Sequence, residues 1–587
     1  MKEIIRTIYE GTADYFGSST YLVVAVFVGI LLMRLDRKKY SKIIIPSLLI
    51  LILILNPVSY KLILHKTRFW RLFWMIPYVY IILIGFTELL NRIDVLWKKL
   101  LITAVFVLVL FMSGNNIYAG HEKSENIYRL PKGVTEVADA MLEKDSSPRC
   151  IVGGDLRTSI RLYSGNIEPM YGRNVENYIN KASEYDKRIN VEMESADPNY
   201  GYILSYARRL RYGFIANTAD KPISDDLQEK YGYKLLKAGN EFNVYYNPDI
   251  DDESGSGYEW KSNGTGWYCI SPEGKRLKQQ TAEIDGVWYY FNSSGYLVES
   301  VDSEDAENLK PDDIIVTQLG SDSYDKPSMC YAIDDQKGHF IIIDGGNKDE
   351  YKRIYDEIKL YGRHVSAWIL THPHEDHIGA FNYIYKTFVK DTASGKNDYH
   401  SVTIDQIYAV DIDSDYYHKV AREWDYIDTF DTFNKLMKDE KNLTYVERGE
   451  EYQAGDISFK VYNTFTEESY DIKTGSLPNA AGMVFELFGK NDSMLFLGDL
   501  EQENADLITK IFKEELKADY VQAAHHGQNL ETDIYDMIGA GTVFVDAPEY
   551  LRQEDHSTHT AYEHLEYFKD KMKILTYDTT PNTIVLH

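Results

Sequence analysis

Ten residues, Thr371-His-Pro-His-Glu-Asp-His-Ile-Gly-Ala380, narrow the possibilities for this chain more than any others. Three imidazoles (His372, His374, His377) and two carboxylates (Glu375, Asp376) fall within six positions, directly after the apolar run Ala367–Leu370. That run reads as a buried strand, and Gly379 as the turn from it into a following helix. Imidazole and carboxylate donors together suit zinc, manganese or iron. His372 and His374, at alternate positions, and the adjacent pair Asp376 and His377 can face two neighbouring metals. Histidines scattered by chance over a solvated turn would not keep this spacing.

The rest of the chain sets the context. Its 587 residues suggest three or four domains. Residues 1–120 carry 14 Lys+Arg against 6 Asp+Glu, so the remainder holds −35 of a total net charge of −27. A body that acidic repels polyanions and disfavours sequence-independent nucleic-acid binding. Cys150, Cys269 and Cys330 are too few and too dispersed for a disulfide framework or a thiolate metal site.

The first 120 residues read as a membrane segment of about four helices, with apolar runs at Thr20–Met33, Ile43–Leu55, Phe73–Leu90 and Leu100–Met112. The first run lies too far from the N-terminus for an ordinary signal peptide and is read as retained. Arg34–Lys42 holds five Lys/Arg and Arg92–Lys99 holds three, which places both loops inside and everything after Gly114 outside. The loop Lys61–Arg71, with four basic residues, runs against that topology. The expectation is a multi-pass protein in the lipid bilayer with extracytoplasmic C-terminal domains.

Residues 121–250 read as a small α/β module, with a strand and turn at Arg149–Gly154 and strands at Tyr202–Tyr206 and Phe242–Tyr246. The module and the preceding spans together loosely resemble the tail of large multi-spanning glycosyltransferases, without their catalytic acidic loops. No activity is carried over; the expected role is spacer and anchor. Residues 251–300 comprise a flexible linker and two short β-hairpin repeats, in which Trp267 and Trp288 stand 21 positions apart. The repeats resemble the choline-binding, or cell-wall-binding, repeats of Gram-positive surface proteins. That resemblance implies aromatic cages that hold choline by cation–π attraction, with Trp260, Trp267, Trp288, Tyr290 and Tyr296 as candidates.

From about residue 311 to His587, strand and helix signals recur in a pattern that suggests two β-sheets sandwiched between outer helices. Three further landmarks follow or precede the histidine cluster: Ile343-Asp-Gly-Gly346, Leu497-Gly-Asp499 and His525-His-Gly527. In this order they make residues 311–587 resemble a metallo-β-lactamase-fold hydrolase, an αββα architecture. The resemblance implies that Asp344 steadies the metal loop and that His372 and His374 hold one metal. Asp376 and His377 would hold the other, with Asp499 bridging and one of His525 and His526 completing the second site. His526 is favoured as the ligand because family members place it directly before a glycine; His525 would then donate to substrate phosphate. The implied cofactors are two divalent metal ions, Zn²⁺ or Mn²⁺, with Asp376, Asp499 and His525 in the catalytic machinery.

One departure stands out. Most members carry another histidine between the second motif and the bridging aspartate. Here that interval offers only His400 and His418, in a Tyr- and Asp-rich stretch read as an insertion, and Pro478-Asn-Ala-Ala-Gly-Met483 stands at the expected place. This pattern resembles the extracellular domain of competence DNA-uptake channels and the choline-repeat-bearing phosphorylcholine esterases. Asn479 would then line the site. Glu375 is expected to point away from the metals, His556 and His559 to overhang the mouth, and His339 and His364 to be incidental.

Together these features predict a membrane-anchored, metal-dependent phosphodiesterase acting on a surface polymer such as phosphorylcholine-decorated teichoic acid. A surface nuclease of the competence type is the alternative enzyme, and the acidic balance opposes it. A lactamase or lactonase is possible on fold alone. A cell-wall-binding protein with a vestigial hydrolase domain is the alternative from another class. No protein partner is expected.

Overall fold

The computed structural model describes residues 21–61, 69–113, 126–172, 184–250, 257–321, 326–528, 532–554, 561–577 and 581–587, with residues 6, 8, 12 and 175. The chain divides into two compact units, Met1–Ser124 and Glu125–His587.

In the first unit, helices run over Tyr21–Leu35, Arg37–Leu55, Tyr78–Leu90 and Leu96–Ser113. Among the described residues one stretch, Arg71–Leu90, is long and apolar enough to cross a membrane, and Tyr21–Leu35 is a shorter apolar helix. Large apolar side chains such as Val23, Phe27, Leu49, Ile52, Leu100 and Phe111 are exposed on these helices.

The second unit begins with a five-stranded sheet ordered β2-β1-β3-β5-β4. Its strands are β1 (Arg149–Val152), β2 (Glu168–Pro169), β3 (Phe214–Thr218), β4 (Lys234–Ala238) and β5 (Phe242–Tyr246). The expected strand at Tyr202–Tyr206 is instead part of the helix Tyr200–Arg209. Asn199 caps it by accepting from the Tyr202 N–H, and Ile203, Tyr206 and Ala207 bury one helical face. The β-favouring Tyr and Ile lost to an amphipathic period.

Two hairpins follow, β6 (Glu259–Ser262) with β7 (Trp267–Ile270) and β8 (Gln280–Ile284) with β9 (Val287–Phe291). They do not form an exposed spacer. Cys269, Leu277, Val287, Tyr289 and Phe291 share a core with the preceding module, whereas Tyr290 and Val298 belong to the core of the following domain. The Arg209–Glu299 ion pair (2.8 Å) is buried on the module side, and Asn292 Nδ2 donates to Leu360 O (3.0 Å) on the other.

This packing changes the reading of the aromatic cages. The Arg209 guanidinium lies 5.7 Å from the Trp260 ring centre and 5.5 Å from that of Trp267, so an arginine of the chain sits beside both rings. Arg276 likewise lies 4.2 Å over Tyr296. Tyr290 is buried and its hydroxyl donates to Asp334 Oδ2 (3.0 Å), and half-buried Trp288 packs against the domain core. Internal cations and core contacts thus lie beside several of the rings named as cage candidates.

The C-terminal domain is built from two seven-stranded sheets. The first runs β15-β14-β13-β12-β11-β10-β23 and the second β16-β17-β18-β19-β20-β21-β22. In chain order the strands are β10 (Ile314–Gln318), β11 (Cys330–Asp334), β12 (Phe340–Asp344), β13 (His364–Ile369), β14 (Thr403–Ala409), β15 (Leu443–Tyr445), β16 (Glu451–Ala454) and β17 (Ile457–Asn463). They continue as β18 (Val484–Phe488), β19 (Ser493–Phe496), β20 (Tyr520–Gln522), β21 (Thr542–Val545), β22 (Lys573–Thr576) and β23 (Asn582–Leu586).

Alternation explains the layers. In β12, Ile341 and Ile343 enter the core between the sheets, with Phe459, Phe485 and Phe496 of the second sheet. Phe340 and Ile342 point the other way, into a core with the helices Tyr351–Leu360 and Glu375–Ile384. A third core lies under Gln502–Phe512 and Asp533–Ile538. Central strands are thus buried on both faces, which is why they read as unbroken apolar runs.

The histidine loop enters its helix earlier than expected. Glu375–Ile384 starts at Glu375, and Gly379 lies inside it. A Cβ there would come within 2.6 Å of the Lys348 backbone nitrogen, so Gly379 permits close approach rather than a turn. The stretch read as an insertion contributes β14 to the first sheet, and a helix over Asp428–Met437 precedes β15.

Candidate metal centre

The landmark residues meet where strands of both sheets end on one side of the sandwich. Asp344 closes β12, the loop Leu370–His374 follows β13, Asp499 follows β19, and His525 and His526 follow β20. Parallel pairing of β12 with β13 and of β19 with β20 sends these chain ends in a common direction within each sheet.

Two donor groups result. His372, His374 and Asp499 form one, and Asp376, His377 and His526 the other, each with donor atoms within 4.8 Å of one another. Asp499 touches both: its Oδ1 lies 3.1 Å from His377 Nε2, and its Oδ2 lies 3.8 Å from His372 Nε2 and 3.6 Å from His526 Nε2. His525 turns toward the cavity, 26% exposed against 1% for His526, with Nε2 3.8 Å from Asp499 Oδ2.

Each inner imidazole is oriented from behind. Thr371 Oγ1 lies 3.1 Å from His372 Nδ1, and the His526 Nδ1–H donates to Asp546 O (2.9 Å). The His377 Nδ1–H donates to Asp344 Oδ2 (2.7 Å). Asp344 also accepts from the Thr371 N–H and hydroxyl, both at 2.7 Å, and its carbonyl accepts from Trp368 Nε1 (2.7 Å). Such outer hydrogen bonds fix which ring nitrogen is left for a metal. Asp344, His525 and His526 all hold positive φ, at 54°, 49° and 56°. Strain of this kind persists where the surroundings over-determine the backbone.

The inward atoms face one another, His377 Nε2 lying 3.1 Å from Asp499 Oδ1, without well-aligned hydrogen bonds. His377 Nε2, Asp499 Oδ1, His526 Nε2 and Asn479 Oδ1 are buried without a hydrogen-bond partner. Buried polar atoms are normally paired, and four orphans around one point fit divalent cations. The charges of the cluster depend on one another. Burial opposes ionisation of Asp499, yet the imidazoles of His377, His526 and His525 hold its carboxyl well below the usual range. Burial also opposes charge on His377, but Asp499 and Asp344 outweigh it and raise that pKa well above the ordinary value. His372, buried beside His377, is pushed well below its ordinary value.

A cavity of about 880 Å³ opens onto this cluster, reaching His374, Asp376, Asn479, Asp499 and His525. Glu375 borders it but is tied outward, accepting from Thr429 Oγ1 (2.8 Å). His339 and His364 lie elsewhere, paired with Asp335 and Asp405. His418 is bonded to Asp431 (3.1 Å), away from the cluster. His556 and His559 lie outside the described residues.

Sequence reasoning missed the residues that the intervening segments bring to the cavity. Asp425, only 1% exposed, places Oδ1 3.3 Å from His374 Nε2 and accepts from Ser476 Oγ (2.6 Å). Trp424 and Tyr426, which flank it, border the cavity and are exposed. Glu501 anchors the Ser476 turn, accepting from the Ser476 N–H (3.1 Å) and Gly475 N–H (3.2 Å). No ligand spacing marks these positions; the aromatic pair around one acid was the only signal.

Two sheets between helices, with metal-type donors clustered at the strand ends, define the class: an αββα sandwich with a candidate metal centre. Residues 324–531, about a third of the chain, match the model of the Metallo-beta-lactamase superfamily, which shows a domain of that fold there. Similar solved structures include the metallo-beta-lactamase fold protein YhfI from Bacillus subtilis, 13% identical, matching 47% of this chain and 100% of its own, with TM-score 0.30. Zn²⁺-bound PqqB from Methylobacterium extorquens is 10% identical over 47% of this chain and 99% of its own, TM-score 0.28. A diphosphatase of the PhnP family is 13% identical over 47% and 97%, TM-score 0.26. No curated protein matches the chain.

Proposed function

We propose that this protein is a membrane-anchored hydrolase of a phosphodiester in a cell-surface polymer, working with two divalent cations. The observation that carries the reading is the convergence of two buried donor groups on Asp499, whose carboxylate oxygens lie 3.1 Å from His377 Nε2 and 3.6 Å from His526 Nε2. His372, His374 and Asp499 would hold one cation, and Asp376, His377, His526 and the same Asp499 the other. When bound, such cations polarise a phosphoryl oxygen and make a water acidic enough to react near neutral pH.

The chain's own groups supply orientation and proton transfer. Asp344, Thr371 and the Asp546 carbonyl keep three imidazoles turned inward. Asp499 balances positive charge from both sides of the site. His525, facing the cavity, is placed to donate to a phosphoryl or leaving-group oxygen, as a general acid must be. Lys326 also borders the cavity and adds a positive charge for an anionic group. Exposed apolar side chains on the helices of Met1–Ser124 support a lipid-facing anchor.

The test uses the full-length chain purified in detergent. Its metal content is measured, and bis-p-nitrophenyl phosphate, p-nitrophenylphosphorylcholine and nitrocefin are assayed side by side. About two metals per chain with turnover of a phosphodiester is the expected result. Turnover of nitrocefin alone would overturn the phosphodiester assignment, and absence of metal with no turnover would overturn the enzyme reading. Recovery of the chain in the soluble fraction would overturn the anchor.

A further inference from the structure

Among the four imidazoles of the two donor groups, one is held the opposite way. His372, His377 and His526 are tied through Nδ1, to Thr371 Oγ1 (3.1 Å), Asp344 Oδ2 (2.7 Å) and Asp546 O (2.9 Å). His374 is tied through Nε2, which lies 3.3 Å from Asp425 Oδ1 and 3.2 Å from Ser476 Oγ. Its Nδ1 is left facing inward, 3.2 Å from His372 Nε2.

Asp425 is built for this contact. It ends the short 3₁₀ turn Glu423–Asp425, and its Oδ2 accepts from the Arg422 N–H (2.7 Å). Its Oδ1 accepts from Ser476 Oγ (2.6 Å), so both oxygens are engaged and the carboxylate cannot swing away. The neighbouring Trp424 Nε1–H donates to Gly475 O (3.3 Å), which pins the turn onto the loop bearing Ser476. That loop leads into the segment Leu477–Ala480, which carries the buried Asn479.

We propose that Asp425 is a positioning residue for the first donor group. It holds His374 as the Nε2–H tautomer and presents Nδ1 to the cation. A carboxylate behind a ligating imidazole raises its basicity and removes its rotational freedom. The segment between β14 and β15 is therefore part of the metal centre, although it supplies no ligand. Asp425 acts through His374 and touches neither cation nor substrate.

The inference rests on the two-cation reading, and one titration separates the two. The full-length chain is stripped with chelator and titrated with Zn²⁺ against a chromophoric competitor, then with Co²⁺ while the visible d–d bands are followed. Wild type should take up two equivalents. Asp425→Ala should weaken one equivalent by about 10–100-fold and leave the other unchanged, with loss of one Co²⁺ spectral component. The metal-free variant should stay folded by circular dichroism, its melting temperature lowered only by loss of the Arg422 and Ser476 hydrogen bonds. Asp425→Asn, whose amide oxygen still accepts from His374 Nε2–H, should lose less, in the same equivalent. Two unaltered equivalents in whichever variant folds would overturn the proposal. So would equal weakening of both with a lower metal-free melting temperature, which is the mark of a merely structural role. Wild type that takes up no Zn²⁺ would refute the two-cation reading instead.

Discussion

Asp344→Asn isolates one oxygen of the site. The side chain is fully buried, and asparagine has the same size and tolerates the left-handed backbone at φ 54°. Its amide oxygen can still accept from the Thr371 N–H, as Asp344 Oδ1 does at 2.7 Å. The amide nitrogen then replaces Oδ2, which accepts from the Thr371 hydroxyl (2.7 Å) and from His377 Nδ1–H (2.7 Å). A donor now faces Nδ1, so His377 must accept there and carry its proton on Nε2, the atom aimed at Asp499. Loss of a charge-assisted hydrogen bond costs about 1.5–3 kcal/mol. Converted at 1.4 kcal/mol per decade, that is roughly a 10–100-fold loss in the affinity of the group containing His377. Competition titration with Zn²⁺ measures it, and circular dichroism checks that the fold is kept. Wild-type affinity in a folded variant would refute the reasoning, because the wrong tautomer cannot present Nε2 as a lone pair.

Three other perturbations test separate parts of the molecule. Asp499→Ala removes the carboxylate shared by both donor groups; it should lower phosphodiester turnover by at least about 100-fold. The variant should keep its circular dichroism spectrum and bind fewer than two metals. Gly379→Ala pushes a methyl group to 2.6 Å from the Lys348 backbone nitrogen, and should destabilise the domain by about 1–3 kcal/mol in denaturant unfolding. Asp334 is buried beneath Tyr290, and burial raises its pKa from 3.8 to about 6. Its neutral form is thus favoured by folding, so its contribution is fully present below about pH 4 and disappears as pH rises to about 6. The change is roughly 3 kcal/mol at 1.36 kcal/mol per unit. Asp334→Asn should flatten that part of the stability curve measured by denaturant unfolding between pH 4 and 7.

The landmarks of the site were legible because their chemistry is local. A strand end, two or three ligands and a small residue follow one another in sequence, and their spacing encodes which side chains share a face. Trp368–Leu370, Phe340–Ile343 and Thr542–Val545 could likewise be recognised as strands, since burial on both faces leaves an unbroken apolar run. Short edge strands such as β15 and β16 gave no such run, because one side of each is solvated. Tyr202–Tyr206 misled because β-favouring residues there serve a helix whose buried face only packing defines.

Sequence alone determined the donor types, their grouping into neighbouring pairs and the sandwich that carries them, since each follows from residue order over a few positions. Tertiary structure decided everything that depends on distant segments meeting. It turned the aromatic rings of the hairpins onto Arg209 and Arg276, because those hairpins are wedged between two cores rather than hung in solvent. It also brought Asp425 from beyond β14 and Ser476 from beyond β17 to the same imidazole. Hydrogen bonds between residues 51 or 102 positions apart leave no periodicity in a chain; only the fold that closes the loops creates them.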